Sequence, residues 1–133
     1  MSLNPYLWFN GQCESAFKLY EKVLGGKLES KITHGESPEA DKVSADWRNK
    51  IMHATLKVGD NVLMGSDIPP QYYQKPQGFS VSFSVRNPDD AERVFKALSE
   101  KGSVTMPLQK TFWARKFGMF TGQFGIPWMI NCE

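Results

Sequence analysis

Cys13-Glu14-Ser15-Ala16-Phe17-Lys18-Leu19-Tyr20-Glu21-Lys22-Val23-Leu24 places apolar side chains at positions 16, 17, 19, 20, 23 and 24. That is helical spacing. At one constant offset, Ala91, Val94, Phe95 and Leu98 answer Ala16, Leu19, Tyr20 and Val23. Around each helix the same order of elements can be read: strand, helix, then three strands, from Asn4 to about Asp67 and again from Phe79 to Cys132. Two copies are too few to stack into a solenoid. The repeat predicts one α+β domain over residues 1–133, made of two βαβββ modules at about 3–67 and 78–133. The modules are expected to form a curved mixed sheet with the helices on its outer face and a binding cleft between the halves.

Working outward from the helices, Leu3 to Phe9 reads as a buried first strand, ended by Asn10-Gly11. Gly25-Gly26 stops the first helix. Lys27 to Thr33 reads as a short strand, and the polar stretch His34 to Asn49 as a long loop. Ile51 to Val58 and Val62 to Ser66 read as a hairpin turning on Gly59-Asp60-Asn61. Pro69-Pro70, Tyr72-Tyr73 and Pro76 mark the link between the halves. Phe79, Val81, Phe83 and Val85 alternate with Ser80, Ser82 and Ser84, a strand with one apolar and one polar face. Asn87-Pro88 is a helix start, with Asn as cap and Pro at the first helical position. Ser103 to Gln109, Phe112 to Thr121 and Ile126 to Cys132 supply the last three strands.

Composition narrows the function classes. The chain has 133 residues, 41% hydrophobic and 23% charged, as expected for a globular domain with a real core. A net charge of +2 from scattered basic residues argues against nucleic acid. No apolar run is long enough to cross a membrane, and Met1-Ser2-Leu3-Asn4-Pro5 does not read as a signal peptide. Cys13 and Cys132 are too few for a disulfide framework, so both read as reduced thiols in a cytoplasmic protein.

Several strings carry a resemblance. They are Asn4-Pro5-Tyr6-Leu7-Trp8-Phe9-Asn10-Gly11, Ile51-Met52-His53-Ala54, Val62-Leu63-Met64-Gly65-Ser66-Asp67, Thr111-Phe112-Trp113, Phe117-Gly118 and Phe124-Gly125-Ile126-Pro127-Trp128. Together they resemble the vicinal oxygen chelate (glyoxalase/bleomycin resistance/extradiol dioxygenase) superfamily, and within it PhnB-like proteins. Ala114 departs from the glycine often found there, and Gly122 stands near a place often held by an acid. PhnB-like proteins often carry a quinone-methyltransferase name. Nothing in this sequence supports S-adenosylmethionine chemistry, because no glycine-rich nucleotide loop follows the first strand.

The resemblance implies a divalent metal held by His and Glu side chains on cavity-facing strands, polarising a bound oxygen. The matching region of the first strand is Pro5-Tyr6-Leu7-Trp8, which offers no ordinary ligand; the later strands offer Ser80, Ser82 and Ser84, then Met129, Asn131 and Glu133. His53 alone is a good ligand type on a well-placed strand. Three or four protein ligands are needed, so a divalent metal is possible only if Glu133 and a partner chain help. No metal ligand set and no cofactor are assigned.

Parity puts Met52, Ala54, Leu56 and Val58 of the third strand toward the helix. Ile51, His53, Thr55 and Lys57 then face the cavity. His53 is the candidate catalytic base; its alternative is a histidine bonded to a nearby serine or carbonyl. Tyr6, Trp8, Trp113 and Trp128 are candidate walls of a ligand cavity, or else core and dimer interface. Ser82 and Arg115 join the candidate ligand-binding set, Arg115 for an anionic group or as a surface ion pair. His34 reads as solvated, Asp67 as a turn residue and Cys13 as inert, although a thiol near a helix start can be acidified. The expected function is binding of a small organic molecule by a homodimer, probed by light scattering. The alternative is a metal-dependent lyase, isomerase or dioxygenase.

Overall fold

Period-two alternation decides which side of each strand is sealed. The computed structural model describes residues 1–133, in two units, Met1–Lys75 and Pro76–Glu133. In the first unit, β1 (Tyr6–Phe9) buries Leu7 and Phe9 and leaves Tyr6 and Trp8 open. The strand starts at Tyr6 rather than Leu3, because Leu3 stands almost fully in solvent. The helix α1 (Cys13–Leu24) follows, and Gly25 ends it in a left-handed conformation with its N–H bonded to the Glu21 carbonyl. Only glycine adopts that φ without strain. Then come β2 (Lys27–Thr33), β3 (Ile51–Val58) and β4 (Asn61–Asp67).

These strands form a four-stranded mixed sheet in the order β1-β4-β3-β2, with β1 parallel to β4 and the other pairs antiparallel. Helix α1 buries Ala16, Phe17, Tyr20 and Val23 against the sheet side that carries Leu7, Phe9, Ala54, Leu56 and Leu63. Burial of such side chains stabilises by roughly 1.5–3 kcal/mol each. Phe17 meets Phe9 edge to face at 5.8 Å, and it reaches the sheet over Gly65. A Cβ there would stand 3.0 Å from Phe17 Cζ and from the Leu7 carbonyl oxygen.

Residues 34–50 are organised by three short 3-10 turns, His34–Glu36, Ala40–Lys42 and Ala45–Trp47. A reciprocal capping box between Thr33 and Glu36 starts the first turn. The two ends of the stretch are tied by His34 N–H to the Lys50 carbonyl and Gly35 N–H to the Arg48 carbonyl.

The second unit repeats the plan: β5 (Val81–Val85), α2 (Pro88–Ser99), β6 (Ser103–Gln109), β7 (Lys116–Thr121) and β8 (Pro127–Cys132). Its sheet runs β5-β8-β7-β6, position for position the order of the first, with β5 parallel to β8. Asn87 caps α2 by accepting the Asp89 N–H at 2.8 Å, with Pro88 at the helix start. Ala91, Val94 and Leu98 are buried with Phe120, Trp128, Ile130 and Cys132. Strand β5 begins at Val81, two residues after Phe79, and β7 at Lys116 rather than Phe112. Thr111 and Ala114 close a turn before β7, N–H to carbonyl and N–H to Oγ1.

Phe95 packs edge to face on Phe120 at 5.1 Å, and Gly118 leaves it room. A Cβ on Gly118 would lie 2.5 Å from Phe95 Cε2 and 3.0 Å from the Leu108 backbone. Gly118→Ala is therefore expected to destabilise the protein by about 1–3 kcal/mol, the usual range for overpacking. Thermal unfolding at neutral pH measures it, and an unchanged midpoint would contradict this packing.

Candidate ligand-binding face

The side of the first sheet turned away from α1 carries most of the chemistry. Register places Tyr6 beside Met64 and Met64 beside Thr55, while Trp8 lies beside Ser66 and Ile32 beside His53. Directly paired residues share a face. Ala54 and Leu56 are buried toward the helix, so His53 and Thr55 take the open side as parity predicts. Ile51 differs from that pattern: it is 2% exposed at the start of β3.

Tyr6 Oη hydrogen-bonds to His53 Nδ1 at 2.9 Å, and His53 Nε2 hydrogen-bonds to Thr55 Oγ1 at 3.0 Å. The Tyr6 and His53 rings lie 5.6 Å apart. A neutral imidazole carries one N–H, so one of these bonds is donated and the other accepted. The imidazole can thus relay a proton between the phenol and the threonine hydroxyl. Tyr6 and Trp8 remain 42% and 39% exposed, two large aromatics on a strand whose alternate residues are sealed. They offer flat apolar area beside a polar tip.

The candidates of the second module fall in different places. Ser82 is exposed on β5, in register with Met129. Trp113 lies before β7, half exposed, packed against Phe112 at 4.8 Å and Phe117 at 5.3 Å. Arg115 also precedes β7. Its guanidinium donates from Nε to the Glu133 carbonyl oxygen at 2.6 Å and from Nη2 to the Arg86 carbonyl. Arg115 thus clamps the chain just beyond β5 and β8. Trp128 is 1% exposed and pairs with Val81 and Phe120, so alternation sets it on the side packed by α2. It is a core residue; its neighbours Met129 and Asn131 take the open side.

The donors do not fit a divalent ion held by this chain alone. Both nitrogens of His53 are engaged, and the corresponding strand positions are Ser82, Ser84 and Asn131. No group of three His, Cys, Asp or Glu side chains converges anywhere.

One functional residue escaped the sequence reading. Asp67 is 1% exposed, not a surface turn. Its Oδ1 accepts the Cys13 N–H at 2.9 Å and its Oδ2 accepts the Ile51 N–H at 2.8 Å. His34, expected in solvent, donates from Nε2 to the Asp67 carbonyl oxygen at 2.9 Å. Gln12 makes no side-chain cap bond at the start of α1, so Asp67 serves that end from a neighbouring strand. A poor cap residue plus a lone acid ending an apolar strand is the signal that could have found it. Cys13 sits at the same helix start, yet burial pushes its thiol up, and the charges of Asp67 and Glu14 push it further. The thiol is sealed from solvent as well, in keeping with a structural role.

A model of the Glyoxalase/Bleomycin resistance protein/Dioxygenase superfamily matches residues 2–130. Protein YjdN of Escherichia coli (strain K12) is 35% identical over 139 residues, covering 98% of this chain and 95% of that protein. The crystal structure of protein PA1353 from Pseudomonas aeruginosa superposes with a TM-score of 0.92 at 51% identity, over 100% of this chain and 98% of that one. A putative 3-demethylubiquinone-9 3-methyltransferase, PhnB protein, from Bacillus cereus gives 0.82 at 20% identity over the whole of both chains. The bleomycin-binding protein of Streptomyces verticillus, solved with copper(II)-bleomycin, shares the fold at 0.60 and 14% identity, over 100% and 96% of the two chains. The PhnB-like resemblance read from the sequence is borne out.

Asp67→Asn keeps the shape but turns an amide NH2 toward one of two buried N–H donors. It is expected to cost about 2–4 kcal/mol. Hydrogen exchange should speed up at whichever of the Cys13 and Ile51 amides faces the new NH2; protection unchanged at both would refute the capping role.

Proposed function

The chain belongs to the glyoxalase/bleomycin resistance protein/dioxygenase superfamily, and from that premise we propose that it binds a small organic molecule on the open face of its first module. The observation that carries this reading is the pairing of Tyr6 and Trp8, both about two-fifths exposed, with the Tyr6–His53–Thr55 hydrogen-bonded chain. A flat, largely apolar molecule would stack on the two rings. A polar group on it would meet the Tyr6 hydroxyl, whose donor or acceptor role His53 sets through its tautomer. The protein binds without a resident divalent metal, in keeping with the donor set, and no catalytic step is assigned.

The alternative is a metal-dependent lyase, isomerase or dioxygenase. Elemental analysis of protein purified without chelator separates the two. A near-stoichiometric divalent ion that disappears in His53→Ala would overturn the metal-free reading.

Native mass spectrometry of freshly purified protein should show a co-purified mass or one acquired from a panel of planar aromatics. With that molecule in hand, Trp8→Ala is expected to weaken binding about tenfold, one stacking contact's worth. His53→Ala should weaken only those ligands that carry a polar group. Equal affinity in both variants and wild type would place the site elsewhere.

We further propose a cytoplasmic homodimer, in keeping with free thiols at Cys13 and Cys132 and with the large exposed side chains Phe112 and Trp113. Light scattering at micromolar concentration should return twice the chain mass; a particle of 15.1 kDa would refute it.

A further inference from the structure

Three methionines lie side by side across the second sheet. Met129 on β8 pairs with Met119 on β7, and Met119 pairs with Met106 on β6. Directly opposed residues send their side chains to one face, with Cβ atoms about 4.5–5.5 Å apart. The face is the one turned from α2, since Phe120, Trp128 and Ile130 at the alternate positions are buried. All three methionines are half-buried, hence packed but reachable.

Packing alone does not call for this set. A half-buried sheet face favours β-branched and aromatic residues, whereas this face holds a row of thioethers beside Ser82 and Ser84 of β5. The chain has six methionines, and half of them stand in this one row. The matching row of the first module is Tyr6, Met64 and Thr55, with Ser30 beyond, so only one position there is methionine. Strand β6 also departs from regular register on both sides of Met106, between Val104 and Met106 and between Met106 and Gln109. Bulges re-aim side chains, and these two leave Met106 opposite Met119.

The geometry points to a soft-cation site in which Met106, Met119 and Met129 hold monovalent copper through three thioether sulfurs. Thioethers select Cu(I) over hard divalent ions. Three rotatable bonds per side chain let the sulfurs converge without moving the strands. The row ends in the Ser82 hydroxyl and contains no carboxylate, imidazole or thiol. Phe117, in the adjacent row, carries the Trp113 ring at 5.3 Å and gives the site an apolar flank. Thioethers carry no proton to lose, so binding by this row is independent of pH, unlike binding by histidine or cysteine.

The test uses the full chain labelled with 13C at the methionine methyls and titrated with Ag(I), an air-stable probe of the same softness. Three of the six methyl resonances should move together and saturate at one ion per chain. Under anaerobic conditions the protein should withdraw Cu(I) from bicinchoninate equally well from about pH 6 to 8. Met119→Leu and Met106→Leu, both close in shape, should each weaken binding about tenfold or more. Met106 lies on an edge strand, so its variant keeps the test alive should Met119→Leu fail to fold. Unmoved methyl resonances, or wild-type affinity in both variants, would overturn the site and assign any bound ion to the buried thiols.

Discussion

A buried carboxylate is tolerated only when its oxygens are hydrogen-bonded, and Asp67 meets that condition with two backbone N–H groups from separate elements. One belongs to Cys13, at the start of α1, and the other to Ile51, at the start of β3. The side chain therefore fixes where the helix begins and where the strand begins. Its main-chain oxygen receives His34, which pins the first 3-10 turn of the 34–50 stretch to the same point. Negative charge at a helix N-terminus is favourable in its own right.

The second module meets the same need by other means. Val85 pairs with Cys132 where Phe9 pairs with Asp67, so Cys132 occupies the place of the carboxylate. Helix α2 does not need a carboxylate there, because Asn87 caps it locally. Gln12, at the equivalent entry to α1, makes no such bond. Capping has moved from a residue beside the helix in one module to a distant strand in the other. The consequence reaches the candidate site: His53 lies two residues beyond Ile51, so its register against Tyr6 follows from the bond that places Ile51.

What could be read from the sequence follows from what is local. Both helices, their ends at Gly25 and Asn87, and the bounds of β2, β3 and β6 came directly from spacing and turn chemistry. Strand edges were less legible. Leu3 and Phe112 look like strand residues by composition, yet Pro5 and the Thr111–Ala114 turn delay the pairing. The face of His53 followed from parity. Parity also excluded Trp128 from the open face, because Met129 and Asn131 were already assigned to it. Aromatic content outweighed spacing in that reading. Asp67 and His34 were misplaced for one shared reason: their partners are backbone groups distant in sequence, which no local pattern displays.

Alternation also explains why duplication of the fold did not duplicate the chemistry. The helix-covered positions are constrained by volume, as Gly65 under Phe17 and Gly118 under Phe95 show. Even there the relief glycine stands on different strands, β4 in one sheet and β7 in the other. The open positions carry no such constraint. Equivalent places hold Tyr6 and Ser82, Met64 and Met129, Thr55 and Met119. The first face is built of a phenol, an imidazole and a hydroxyl in contact, groups that exchange protons. The second is built of thioethers, which hold no proton at all and are soft and polarisable. One architecture thus presents two surfaces of different chemistry, and the divergence lies in side chains that folding leaves free.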